Sequence, residues 1–172
     1  MPDTLVTTYL EMRRRSDFQP AWVDVPDAQI IRLGRVDVAF YRFLYSEVGA
    51  AWRWRDRAAL DDTALNAALA PARVDVLYVA GCPAGYAELA VSDAAAGDVE
   101  LAYFGLRGDF IGRGLGKHLL SHAIQSAWDD ETTRRLWLHT CNLDSPHAID
   151  NYIKRGFGIY QRTEEPMPAH YR

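Results

Sequence analysis

Cysteine is scarce in this chain of 172 residues: Cys82 and Cys141 are the two present, far apart in sequence. Such a pair builds no disulfide framework and fits a reduced, cytoplasmic protein. No apolar run approaches the roughly 18 residues that a membrane span needs, so no membrane is expected as a partner. The opening "MPDTLVTTYLEM" meets an acidic residue at once and lacks the basic-then-apolar layout of a secretory signal, so no secretion is expected. Positive charge is short as well. Lys and Arg number 19 against 23 Asp and Glu, a formal net charge of −4, which argues against nucleic acid as the main partner. The run Arg13–Arg15 is too brief to reverse that and reads as a solvated turn. Internal repeats and low-complexity linkers are absent. With 49% hydrophobic and 24% charged residues, what remains is the composition of one folded domain over 1–172, long enough to bury a sizeable core.

Glycine is concentrated in one place. "FIGRGLGKHLL" (110–120) puts Gly112, Gly114 and Gly116 at alternate positions and then turns into a helical pattern. Apolar residues recur at Leu115, Leu119, Leu120, Ala123, Ile124, Ala127 and Trp128, the 3.6 period of a helix with one buried stripe. The preceding "DVELAYFGL" (98–106) is short, apolar and rich in strand formers. Strand, glycine turn and helix together bring unpaired N–H groups and the positive helix end onto an anion. Three phosphate-binding loops use such a turn, and spacing removes two. The Walker pattern, aligned on Gly116 and Lys117, needs Gly at Ile111 and Ser or Thr at His118. The dinucleotide pattern needs its third glycine at Lys117 or at Leu119.

The other elements follow from local signals. "TLVTTYLEM" and "AQIIRLG" read as strands, separated by an extended segment that Pro20 and Pro26 keep from being helical. "VDVAFYRFLYSEVG" reads as a helix capped by Asp37 and stopped by Gly49. "DDTALNAALA" reads as a shorter one capped by Asp61 or Asp62 and ended by Pro71. "VDVLYVA" and "AGYAELAVS" read as strands joined through "GCP", followed by a turn at "DAAAGD". "RLWLHTC" is a further strand and "GIYQRTE" a last one. The sum is a mixed α/β domain, an antiparallel meander followed by one strand–helix–strand crossover. Residues 1–27 form an N-terminal strand and extended segment, and 28–163 the core.

A second signal lies in "LDSPHAIDNYIKRGFG" (143–158): Ser145 as cap, Pro146 at the first helical position, Gly156 as the left-handed exit, and Ala148 and Tyr152 on one face. Alone, this is equally a capped helix with a packed tyrosine. Together with the glycine turn, it resembles the GNAT superfamily of N-acetyltransferases. The phosphate loop [QR]-x-x-G-x-[GA] falls on "IGRGLG", Ile111–Gly116. The later helix pattern N-x-x-A-[IL]-x-x-Y-x-x-x-G-F falls on "SPHAIDNYIKRGF", Ser145–Phe157. The resemblance covers roughly 28–163 and departs at Ile111, where the family has Gln or Arg, and at Ser145, where it has Asn.

The resemblance implies acetyl-CoA as co-substrate, with no metal. Its pyrophosphate would lie on the N–H groups of Gly112, Arg113, Gly114, Leu115, Gly116 and Lys117. Its pantetheine arm would lie along the free edge near Phe104 and Leu106, where the 98–106 strand splays from "RLWLHTC", and near Ser145. Tyr152 becomes the general acid that protonates the leaving thiolate. Glu100, eleven positions before Ile111, becomes the general base, with Glu88 as second candidate; each also reads as an ordinary strand carboxylate. In "AAWRWRDR" (50–57) the resemblance places the acceptor site near Trp52, Trp54 and Arg55, one Trp as floor and an Arg attracting a carboxylate-bearing acceptor. His139, Cys141 and His147 have metal-like spacing but no fourth ligand, and burial is the plainer account. The expected activity is acetyl transfer from acetyl-CoA to an amine of a small molecule or protein, by a monomer or homodimer. A coenzyme A-binding sensor without catalysis is the alternative.

Overall fold

The computed structural model describes residues 2–93 and 96–171. A seven-stranded sheet runs through it in the order β2-β3-β4-β5-β6-β1-β7. The strands are β1 (Thr4–Met12), β2 (Ala28–Arg32), β3 (Arg73–Val79), β4 (Cys82–Asp93), β5 (Asp98–Leu106), β6 (Arg135–Cys141) and β7 (Gly158–Pro166). All neighbouring pairs are antiparallel except β5 with β6. The helices are α1 (Val38–Gly49), α2 (Asp62–Leu69), α3 (Leu115–Trp128) and α4 (Ala148–Lys154).

The expected mixed α/β architecture is present, as a β2–β5 meander and a β5–α3–β6 crossover. The strand β1 stands outside that meander. It lies on the far side of β6 and joins β6 to β7. Two local readings also move. The β3–β4 hairpin turns on Ala80 and Gly81, both at positive φ, the two-residue turn whose twist matches its flanking strands. Cys82 and Pro83 are therefore already strand residues, with Pro83 beside a register shift where a missing N–H is tolerated. The "DAAAGD" turn includes positions 94 and 95, which lie outside the described residues.

Helix caps follow the sequence closely. The carboxylates of Asp37 and Asp61 accept from the N–H groups of Phe40 and Ala64, each at 2.8 Å. Gly156 exits α4 at φ 105, and a side chain there would strike the carbonyl oxygen of Asp17 at 1.9 Å. Ser145 is the exception. Its carbonyl accepts from Ala148 and its hydroxyl from His147, so 145–148 closes as a separate turn and α4 begins only at Ala148.

The sheet buries a different core on each face. Leu77, Ala87, Leu89, Val99 and Leu101 pack on Leu115, Leu119, Leu120, Ala123 and Ile124 of α3. On the opposite face Val74, Val76 and Tyr86 pack on Tyr41, Leu44, Tyr45 and Val48 of α1 and on Leu65 and Leu69 of α2. Each fully buried large aliphatic contributes about 1.5–3 kcal/mol of transfer free energy. α3 is thereby fixed against the sheet and its first turn held at one position. No helix of the described residues is long and apolar enough to cross a membrane.

Candidate active site

The parallel pair β5–β6 is joined only over Asp98–Glu100 and Arg135–Trp137. Past that point β5 bonds β4 alone and β6 bonds β1 alone. The two strands diverge and open a cavity of about 660 Å³ that passes between them. Phe104 and Leu106 of β5 form one wall, and Ser145, Ala148 and Tyr152 stand opposite.

At one end lies the glycine turn. Gly112 and Gly114 have φ of 82° and 76°, a region that side chains seldom enter without strain. Gly114 occupies the N-cap of α3, and no side chain caps the helix. The first N–H groups of α3 are left for an external partner, and with the helix dipole they form an anion site. Ile111, Gly112, Gly114, Gly116 and Lys117 line the cavity here. Leu115 turns its side chain wholly into the core, so the backbone is all it can offer. The guanidinium of Arg113 stacks over Phe110 at 5.6 Å, away from the lining. Ile111 is 54% exposed and supplies no polar contact.

Tyr152 stands midway. Its ring meets Phe104 and Phe157 edge-on, with centroids 6.2 and 6.1 Å apart, and its hydroxyl has no hydrogen-bond partner among the described residues. Burial, and then the charge of Asp144, push its ionisation well above the ordinary range. The phenol therefore stays protonated. Cys141 is likewise pushed up, by burial first and then by Asp144. That keeps a thiol rather than a thiolate and argues against a cysteine nucleophile.

The other end opens on the α1 face of the sheet. His139 lines it with half its side chain exposed, Nε2 3.6 Å from Oε1 of Glu100. The burial expected for His139 is thus corrected: residues of β6 facing this side meet the cavity, not a helix. Glu100 sits behind His139, its ionisation raised by burial and pulled partly back by that imidazole. Among the described residues no three His, Cys, Asp or Glu side chains are grouped to hold a metal ion.

Glu88 is not brought to this cavity. It is fully buried, bonded by the Tyr41 hydroxyl and, at 2.6 Å, by Arg57, so no amine reaches it. Trp52 and Trp54 do line the cavity. Trp54 lies against Tyr45 and Tyr103 with centroids 5.4 and 5.2 Å away. Gly49 makes that seat possible, since a Cβ there would fall 2.5 Å from the indole. Arg55 points instead into a separate cavity of about 270 Å³ behind Trp54, so it does not serve the main cavity as the sequence suggested. Tyr9, Asp56 and Tyr171 also line this end. Period-two alternation in β1 sets Tyr9 opposite the buried Leu10, which is the one signal that pointed to any of them.

The model for the acetyltransferase (GNAT) family matches residues 38–157, from the start of α1 to three residues past α4. The chain belongs to that family of acetyltransferases. Among solved structures, it is similar to a GCN5-related N-acetyltransferase from Kribbella flavida (TM-score 0.68, 16% identity, 95% of this chain and 58% of that one). A GCN5-related N-acetyltransferase from Sphaerobacter thermophilus is also similar (TM-score 0.64, 13% identity, 96% and 52%). So is an aminoglycoside acetyltransferase from an uncultured soil metagenomic sample (TM-score 0.61, 16% identity, 75% and 87%). The chain thus spans little more than half the length of the first two, and at these identities the likeness shows the fold. No curated protein matches the sequence.

Proposed function

We propose that this chain transfers the acetyl group of acetyl-CoA to a primary amine of a small molecule or protein by direct attack. One observation carries the reading: a protonated phenol, Tyr152, with no hydrogen-bond partner among the described residues, stands in a strand gap between an uncapped helix start and an open aromatic-lined mouth. The glycine turn fits a pyrophosphate, because its positive-φ backbone presents N–H groups that no side chain among the described residues satisfies. The isoleucine at 111 removes one side-chain contact and leaves those donors untouched. Bound acetyl-CoA supplies an activated acyl group and a thiol leaving group.

The residues of the chain then manage two protons. A lysine-like ammonium of ordinary pKa about 10.4 costs about 4.6 kcal/mol to deprotonate at pH 7. Glu100 takes that proton by way of His139, across 3.6 Å that a small side-chain rotation closes. The neutral nitrogen attacks, the N–C bond forms, the nitrogen gives up its second proton to solvent, and the C–S bond breaks. Tyr152 delivers its proton to the departing sulfur and regains one from solvent.

The test is thiol release from acetyl-CoA across a panel of amines, run beside calorimetric titration with coenzyme A. Turnover with binding supports the reading. Binding without turnover on any amine would leave a coenzyme A-binding sensor instead, and absence of binding would remove both.

A further inference from the structure

The lobe of the cavity on the α1 face has a composition that selects its occupant. Its walls are rings: Tyr9, Trp52, Trp54, Tyr103 and Tyr171. Three charged side chains other than histidine line it, Arg53, Asp56 and Asp144. Two are engaged by the protein itself. Arg53 is fastened to the carbonyl of Tyr171 at 2.5 Å, and Asp144 accepts from the Thr140 hydroxyl and the N–H of Cys141. Asp56 has neither hydrogen bond nor ion pair among the described residues. It lines the same cavity as Tyr103 of β5 and Cys141 of β6 and is exposed to solvent.

Resting on the acetyl-transfer reading, we propose that the acceptor is a hydrophobic amine without a carboxylate, entering as its ammonium under Asp56 with its apolar or aromatic body against Trp52 and Trp54. Three features favour that class. A carboxylate without a partner among the described residues attracts an ammonium and repels a carboxylate. Aromatic faces add cation–π attraction for the ammonium and apolar area for the body. The one arginine at the mouth, Arg53, is held at one nitrogen by the carbonyl of Tyr171, which turns part of its guanidinium toward the protein's own backbone. Asp56 acts here as a specificity residue; His139 and Glu100 remove the proton after the cation has docked.

The experiment compares hexylamine with 6-aminohexanoate and 2-phenylethylamine with phenylalanine, each pair differing by a carboxylate. Initial rates are read with saturating acetyl-CoA, and binding to the protein alone is read by calorimetry. The expected result is at least about 100-fold higher kcat/KM for each carboxylate-free partner, with the same order in binding. Asp56→Asn should raise KM for hexylamine about tenfold while kcat and the KM for acetyl-CoA hold. Asp56→Glu should restore most of the loss, and Asp56→Lys should turn the preference toward the carboxylates. Equal use of the two members of each pair, or an unchanged KM in Asp56→Asn, overturns this inference and leaves acetyl transfer standing. If no amine turns over, the proposed activity fails, and the binding arm still decides which amine class the lobe holds.

Discussion

Removing one oxygen, by Tyr152→Phe, tests the proposed chemistry with little collateral change. The ring sits between Phe104 and Phe157, and both contacts survive the substitution. The lost hydroxyl has no partner among the described residues, so no buried group is left unsatisfied behind it. The stability change should then stay within about 1 kcal/mol, or roughly 2–4 °C in Tm for a domain of this size. Acetyl-CoA affinity should move by no more than about fivefold, for the same reason. Turnover should fall about 10²–10⁴-fold, the scale of a lost general acid, which is about 2.7–5.5 kcal/mol on the barrier. The assay is single-turnover thiol release at saturating amine, set beside a calorimetric titration and a melting curve of the same sample. Full activity in the Phe variant would refute the argument, since the sulfur would then leave without the phenol. A variant that binds poorly or melts early, yet turns over normally per bound molecule, would reduce Tyr152 to a packing residue.

Three further outcomes are expected. Gly114→Asp should abolish coenzyme A binding in calorimetry while Gly114→Asn keeps most of it, because both residues tolerate positive φ and only one brings a negative charge to the anion site; equal affinities would remove the phosphate-loop reading. Glu100→Gln should slow amine acetylation and shift the rate profile to higher pH. Because burial raises the carboxyl of Glu100 in the folded protein, its stabilising effect is complete at low pH and is lost as pH rises through that raised value, so the Gln variant should melt higher than wild type at pH 8; a lower melting temperature there would contradict it. Asp75, buried and bonded by Arg32 and His122, is held at about 2 against an ordinary 3.8. Its contribution of about 2 kcal/mol is complete above the ordinary value and vanishes as pH falls through about 2. Urea titrations between pH 2 and 6 should show that acid loss in wild type and a flatter profile in Asp75→Asn, and identical profiles would disprove it.

What the sequence disclosed was what is local along the chain. The stripe of α3, its glycine entry, and the caps Asp37 and Asp61 each depend on residues within a few positions, and all are where the pattern puts them. The phosphate end of the cavity was legible for that reason. The acceptor end was legible only in Trp52 and Trp54. Tyr9, Asp56, His139 and Tyr171 come from a strand, a loop, another strand and a late short helix, and no spacing links them. Glu88 read as a free base because its partner Arg57 lies 31 positions away. Gly49 read as a helix stop, and it does end α1, yet the residue at positive φ is Arg53. What Gly49 uniquely provides is room for Trp54, a requirement that only three-dimensional packing reveals.

The seat of β1 between β6 and β7 also dictates an order of assembly. β7 reaches the sheet only through β1, and Met12 pairs with Leu136, about 120 residues further along. At a synthesis rate of roughly 5–20 residues per second, β1 waits about 6–25 s on the ribosome before its partner strand exists. During that wait the meander β2–β5 and its two helices can condense, since their contacts are between near neighbours. The β6–β1–β7 wing must close afterwards, by a long-range search whose entropic cost slows folding more than it weakens the final state. With the β6–β1 pairing goes one wall of the cavity, so the half of the molecule that folds early holds no complete site, and the proposed chemistry would have to wait until β1 has paired with β6.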